Sequence, residues 1–227
     1  MEEFFKRQIE LWGKDVQDSL ATKTIAIVGA GGLGSSLCMA LGAVGLQALH
    51  VIDFDEVNLH NIHRQIAFRL QDEGKNKARI NAELIHQRSP FTQAFAHECD
   101  FDSWCKKQIT VDLIVDATDN FATRIKIDNY AKQTNISWVY GTVEEFVAQV
   151  CLFDKASFGD FFATKEHHPK GVAPPMVMQT ASLQANLALR YLAQLEVAAD
   201  TIYYQNFNKN GEFVVQKFPL ALQQKGK

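Results

Sequence analysis

The sequence predicts an α/β fold: a mainly parallel sheet with helices on both faces and an antiparallel extension at its C-terminal end. Three observations point there. Short, uninterrupted apolar runs such as TIAIV (residues 24–28) recur between segments of helical spacing. A cluster of glycines follows the first of these runs, and two β-rich runs near the end flank Asn210-Gly211. Strands alternating with helices of these lengths imply parallel pairing with both faces covered.

Taken in order, residues 24–28 form a strand buried on both faces, and residues 33–44 a helix of small side chains. Residues 49–52 give a second buried strand ending in Asp53. Residues 74–88 have helical spacing at Ala78, Ala82 and Ile85. Residues 111–117 read as another buried strand, 120–133 as another helix, and 137–141 and 146–153 as further strands. Periodicity is lost over residues 154–175, which hold two glycines and three prolines, the mark of a functional or mobile loop. Residues 176–195 then read as a helix apolar nearly all round, with Arg190 its only charge. Such a helix calls for burial on more than one face, inside the domain or against a second subunit. Residues 201–207 and 212–218 resemble a closing hairpin. The expected organisation is one domain over residues 1–227, with a nucleotide-binding half at about 20–135 and a second half at about 136–220.

Composition excludes several classes. The chain has 227 residues, 47% apolar and 22% charged, close to globular averages and long enough for a full core. With 23 basic against 26 acidic side chains, the net charge of −3 offers no electrostatic case for nucleic acid. Four cysteines, Cys38, Cys99, Cys105 and Cys151, include no C-x-x-C pair, so neither a disulfide framework nor a thiolate zinc site is suggested. A soluble, cytoplasmic protein is expected. The first ten residues mix both charge signs, unlike a signal peptide. The uncharged stretch of residues 24–52 is long enough for a membrane helix, but its six glycines, Gln47 and His50 argue against one.

Gly29-Ala30-Gly31-Gly32-Leu33-Gly34 fits G-x-G-x-x-G between a strand and a helix. Glycine suits that place because a Cβ would keep the chain from approaching a phosphate, and the helix start supplies free N–H groups. Asp53 closes the second strand where an acid can take a ribose hydroxyl. The loop by itself does not separate a dinucleotide from a mononucleotide.

Beyond Asp53 come Asp55, Asn61, Arg64, Gln65 and Lys77, a richer set of donors than a nicotinamide site needs. A triphosphate needs several cationic donors, because charge redistributes on its oxygens when the α-phosphorus is attacked. Arg64 and Lys77 would supply that charge, and Asn61 and Gln65 neutral donors. On the residues alone, a solvated polar loop with an ordinary surface lysine is an equal alternative. Asp116-Ala117-Thr118-Asp119-Asn120 lies at the carboxyl end of a buried strand, where open α/β sheets place their ligands. Asp119 could hold Mg²⁺ against phosphate oxygens, or Asp119 or Asn120 could cap the next helix; both can hold at once. Arg124, one turn on, reads as a further cation or as the ion-pair partner of a nearby acid.

The glycine loop, D-x-D-x-V, N-x-x-R-Q, G-x-x-K and T-D-N-x-x-x-R, in this order and spacing, resemble the ThiF/MoeB/HesA adenylyltransferases, bacterial relatives of ubiquitin-activating enzymes. The resemblance runs from about Arg7 to Leu195. It implies a Rossmann-like fold that binds Mg-ATP and activates the C-terminal Gly-Gly of a ubiquitin-like sulfur carrier protein as an acyl-adenylate, in the thiamine or molybdenum-cofactor manner. It assigns ATP binding to Gly29, Gly31, Gly32, Gly34, Asp53, Asp55, Asn61, Arg64, Gln65, Lys77, Asp119 and Asn120. Within that set Asp53 takes the ribose and Asp119 the magnesium; Arg64, Lys77 and Asp119 are catalytic, together with Arg7, which reaches into the partner's site in a homodimer. Residues 136–220 become the carrier-binding, crossover-loop half.

Two departures stand out. Many relatives hold a structural zinc on two C-x-x-C pairs, and residues 154–166 and 218–227 contain no cysteine, so no zinc is expected. Cys38 and Cys151 read instead as small core residues. Some relatives also carry a crossover-loop cysteine four residues before a Gly-Val, and His167 stands there, beside His168. Adenylation proceeds without that thiol, whereas covalent capture of the carrier does not. The alternatives are adenylation of another carboxylate, on a small molecule or peptide, a nicotinamide-dependent oxidoreductase, and a silent scaffold for a ubiquitin-like partner.

Overall fold

A computed structural model describes residues 2–163 and 171–221. Two short helices, α1 (Lys6–Trp12) and α2 (Lys14–Leu20), precede the first strand, β1 (Thr24–Val28). They are tied down by one polar knot: the side-chain amides of Gln8 and Gln17 both donate to Val44 O at 2.9 Å, and Trp12 Nε1 donates to Gln17 Oε1. The edge of Phe5 closes on Gly45, whose φ of +86° only glycine adopts without strain. Neither helix was expected, because their few apolar residues make no regular stripe.

From β1 the chain runs through α3 (Gly32–Leu41) to β2 (Ala48–Ile52), then α4 (Lys77–Arg88) and β3 (Gln93–His97). Next it crosses back through α5 (Phe101–Cys105) to β4 (Leu113–Asp116) on the other side of β1. After α6 (Phe121–Thr134) come β5 (Trp138–Glu144), β6 (Val147–Phe153), the single-turn α7 (Phe158–Phe161), α8 (Pro174–Leu192), β7 (Thr201–Phe207) and β8 (Phe213–Pro219). One eight-stranded sheet results, in the order β3-β2-β1-β4-β5-β6-β7-β8. The five strands from β3 to β5 are parallel, and β6, β7 and β8 add antiparallel to β5. The expected α/β architecture with an antiparallel extension is therefore what forms.

Alternate side chains of the central strands feed two cores. Ile25, Ile27, Leu49, Val51, Leu113 and Val115 face α3, α4 and α8. Ala26, Val28, Ile52 and Ile114 face α5, α6 and α7 through Phe101, Trp104, Ile127 and Phe158. Cys38 and Cys151 are buried in these cores, and burial pushes both thiols up, Cys151 to about 12. The charge-poor helix α8 packs on α3 and on β4, β5 and β6, which explains its apolar surface within one chain. No helix among the described residues is long and apolar enough to cross a membrane.

Several boundaries move for local reasons. α4 starts at Lys77 rather than residue 74, since Gly74 takes φ +78° and Asn76 caps the helix by accepting from Arg79 N–H at 3.0 Å. α8 starts two residues earlier than its apolar pattern, because Pro174 and Pro175 fit the first turn, where no N–H is needed. The aperiodic stretch 154–175 contains α7 and a backbone bridge between Glu145 and Val172. His167 and His168, as well as the lysines at 225 and 227, lie outside the described residues.

The polar edge strand β3 holds one titratable device. Lys107 Nζ lies 3.1 Å from His97 Nδ1, and His97 Nε2 lies 2.9 Å from His50 Nδ1. An ammonium only donates, so Nδ1 of His97 accepts and its Nε2–H donates to His50. Burial first, then the charges of Lys107 and His50, push His97 down from 6.5 to about 4, and burial lowers His50 as well. The native chain thus refuses a proton that the unfolded chain accepts. Stability is intact above about 6.5 and declines as pH falls toward about 4. We expect Tm to fall over that window and the fall to be shallower in His97→Gln; an identical slope in thermal melts would remove His97 from the acid response.

Candidate active site

β1 has β2 on one side and β4 on the other, and the chain leaves it in opposite directions to reach them, so a crevice opens over the carboxyl ends of β1 and β4. A cleft of about 470 Å³ occupies that crevice. The turn from β1 into α3 forms its floor, where three chain segments meet with no side chain between them. Gly29 has φ +95°, and a Cβ there would lie 2.6 Å from Ala117 O; one on Gly34 would lie 2.0 Å from Gly29 O. Gly31 and Gly32 face the cleft, and a Cβ on Gly31 would meet only Gln65 Nε2, at 3.4 Å. Gly34 itself does not line the cleft; its part is to let α3 close on the turn.

Asp53 braces this turn. Its Oδ2 accepts from Ala30 N–H at 2.6 Å and its Oδ1 from Asp55 N–H at 2.7 Å. Burial pushes its carboxyl up, against the pull of those two N–H groups and of Lys77. Lys77, at the first turn of α4, is only 5% exposed, and its Nζ donates to Asp55 Oδ2 at 3.0 Å. Asp55 is exposed, so this cation has one partner that can turn away to water. Arg64 forms part of the cleft wall, with Nη2 held 2.9 Å from Asn61 Oδ1. Asn61 is buried behind that wall and aims Arg64 without itself lining the cleft. Gln65 is also buried, and its Oε1 has no hydrogen-bond partner.

The turn after β4 brings the remaining groups. Asn120 caps α6, its Oδ1 accepting from Thr123 N–H at 2.8 Å. Asp119 is exposed within the cleft and has no hydrogen bond or ion pair among the described residues. A carboxylate without a hydrogen bond, near the Arg124 charge and facing the cleft, fits a magnesium ion, which takes one or two carboxylates and completes its shell with water and phosphate oxygen. Among the described residues no three His, Cys, Asp or Glu side chains gather to hold a metal by themselves. Asp116 is fully buried beneath this turn and bonded to Arg124 Nε at 3.0 Å.

Ten of the predicted residues thus share one cleft, while Arg7 does not: its side chain is 90% exposed on α1 and pairs with Glu10. Sequence reading missed Cys99, Asp100 and Phe101, which form the wall contributed by the β3–α5 turn, and Thr142, Val143 and Glu144 at the end of β5. An available signal for the first group was Asp100 as a helix cap, with Phe101 and Trp104 spaced one turn apart. A larger cavity of about 670 Å³ lies at the amino end of β5, between α6 and α7. It contains none of the predicted residues, and Lys132 there pairs with Asp128 at 2.9 Å.

The model of the ThiF family matches residues 5–226. The chain belongs to that family. Two curated relatives are a sulfur carrier protein adenylyltransferase of Thermus thermophilus, 32% identical over 62% of this chain and 53% of its own length, and the adenylyltransferase and sulfurtransferase MOCS3 of Caenorhabditis briggsae, 29% identical over 82% and 50%. The ThiF-family chain therefore spans about half the length of these relatives. In structure it superposes on E. coli MccB bound to MccA-N7isoASN with a TM-score of 0.83 at 16% identity, covering 97% of this chain and 75% of that one. This likeness shows the fold.

Two glycine substitutions separate folding from ligand binding in this loop. Gly34→Ala forces α3 away from Gly29 and should cost about 1–3 kcal/mol, read as a fall in Tm of roughly 2–12 °C. Gly31→Ala should leave Tm nearly unchanged and weaken ATP binding at least tenfold by calorimetry. The opposite pattern would mean that the two glycines have been assigned the wrong roles.

Proposed function

We propose that this ThiF-family chain is an ATP-dependent adenylyltransferase that activates the C-terminal Gly-Gly carboxylate of a ubiquitin-like sulfur carrier protein. One observation carries the reading: a glycine turn, a buried ammonium, a guanidinium and an unpartnered carboxylate converge on one cleft at the sheet's switch point. In the proposed reaction a carrier carboxylate oxygen attacks the α-phosphorus, the bond to the bridging oxygen breaks, and pyrophosphate leaves with its electron pair. The chain needs no nucleophile of its own. Arg64 and Lys77 meet the triphosphate, while the N–H groups at the start of α3 face its oxygens. Lys77 reaches the phosphates by exchanging Asp55 for them.

Charge supports two further parts of the proposal. The cleft is lined by five carboxylates, Asp53, Asp55, Asp100, Asp119 and Glu144, against three cations, Arg64, Lys77 and Arg124. A polyanion entering such a site requires positive charge from outside the chain. Magnesium at Asp119 would neutralise phosphate oxygens and hold the leaving pyrophosphate. Arg7 of a second copy would add a guanidinium, which makes the homodimer the active form; its outward direction on α1 agrees with use in trans. Residues 136–220 would form the carrier-binding, crossover-loop half, with sulfur supplied by a separate donor.

The test is exchange of labelled pyrophosphate into ATP. We expect it to depend on a Gly-Gly-ended carrier and to fall at least 100-fold in Arg64→Ala, Lys77→Ala and Asp119→Ala, with circular dichroism unchanged. Exchange driven by a small acid or peptide would redirect the proposal to another carboxylate, and tight NADH binding without ATP binding would refute it. Mixing Arg7→Ala with Asp119→Ala subunits should restore part of the activity; a mixture as inactive as its parents argues that Arg7 does not act in trans.

A further inference from the structure

Arg124 lines the cleft, and two nitrogens of its guanidinium are held by protein groups. Nε donates to Asp116 Oδ2 at 3.0 Å, and Nη2 donates to Thr118 O at 2.6 Å and Gly141 O at 3.3 Å. The guanidinium also lies over the Tyr140 ring, 5.2 Å from its centroid. Asp116 completes the arrangement: its Oδ1 accepts from both Thr118 N–H and the Thr118 hydroxyl, at 2.9 and 2.6 Å. From behind, Gln184 on α8 donates to Asp116 O at 2.6 Å. The backbone from Asp116 to Thr118 is therefore held at both ends, and Asp119 is the next residue. Gly141 is part of the same clamp, since a Cβ there would come within 2.5 Å of the Gln184 amide.

We propose that Arg124 is a positioning residue: it ties the end of β4 to the middle of β5 and so fixes the turn that aims Asp119 into the cleft, without binding phosphate itself. This rests on the adenylation reading for its consequence in catalysis, but not for its structural part. Of the three cations lining the cleft, Arg124 is the one whose charge is already matched by a fully buried acid. A planar guanidinium can reach a carboxylate and two carbonyls from one position, which a lysine ammonium on a flexible stem does not reproduce.

The variants are Arg124→Lys and Arg124→Gln, with Asp116→Asn combined with Arg124→Gln as a neutral pair that avoids an orphaned buried carboxylate. We expect ATP affinity by calorimetry to change less than threefold in all of them. The pyrophosphate exchange rate at saturating ATP should fall at least 30-fold in Arg124→Lys and Arg124→Gln alike, and recover in part in the double variant. Hydrogen exchange at the Ala117 and Thr118 amides, both hydrogen-bonded, should quicken about tenfold. Loss of ATP affinity of tenfold or more in Arg124→Gln that Arg124→Lys restores would place the charge on phosphate and overturn the proposal. Unchanged amide exchange would overturn it as well, even in a wild-type chain that shows no pyrophosphate exchange. That last result would sink the adenylation reading by itself and leave the amide and affinity measurements to judge Arg124. If Arg124→Gln does not fold, the double variant and Arg124→Lys carry the same measurements.

Discussion

The whole site depends on a constraint of space at the end of β1. There the strand, the start of α3 and the end of β4 come together with backbone against backbone: Gly29 against Ala117 and Gly34 against Gly29. Any side chain at these points would push α3 off the sheet. Because α3 sits so close, its first N–H groups open into the crevice, and the turns after β2 and β4 stand close enough to share one ligand. Asp53 serves this geometry before it serves any ligand, since both of its oxygens hold the loop through Ala30 and Asp55. An acid at the end of the second strand is thus first a brace, and a ribose hydroxyl would be an additional partner.

Electrostatics work against that backbone cradle unless other charges arrive. Carboxylates outnumber cations in the lining, and Arg124 is matched by Asp116, which leaves Arg64 and Lys77 to face a polyanion. On the proposed function, an added divalent ion and a guanidinium from a second copy would supply the missing positive charge. Removing one member of the buried Asp116–Arg124 pair would strand a charge in the core, at about 3–5 kcal/mol. That is a large fraction of a typical domain's stability. The pair is therefore tied to the fold as firmly as to the site.

Much of this was legible in the sequence, for physical reasons that differ by residue. Strands buried on both faces announce themselves as TIAIV and LIVD, and a glycine run between strand and helix has few other uses. β3, with the sequence QAFAH, was invisible because an edge strand half in water shows no apolar run. With it went the β3–α5 turn, and so the Cys99–Phe101 wall, because a wall set by tertiary contact leaves only a cap residue as local trace. The separate parts of Asn61 and Gly34 were hidden for a different reason, and that of Arg124 stood open between a cleft cation and the partner of a nearby acid. A motif shows which residues travel together, but not which face the ligand and which hold those that do. Asn61 stands behind Arg64, Gly34 beneath Gly29, and Arg124 beside Asp116.

Lys77 shows how such a site can wait without a ligand. An ammonium so deeply placed would be costly if left unpaired, by several kcal/mol, and a fully enclosed partner would never release it. Asp55 resolves the conflict. It is near enough, at 3.0 Å, to satisfy Lys77 at rest, and its own carboxylate is half in water. On the proposed function, a phosphate approaching the glycine turn would replace Asp55, which would regain its full hydration, while Lys77 would exchange one anion for another. The exposed member of the pair is the one that can leave, so the cation stays where the chemistry needs it. Arg124 has the reverse arrangement, with its acid wholly enclosed and its carbonyl partners part of the sheet. Two cations in one cleft thus have acid partners that differ in access to water, and the roles proposed for them follow from that difference.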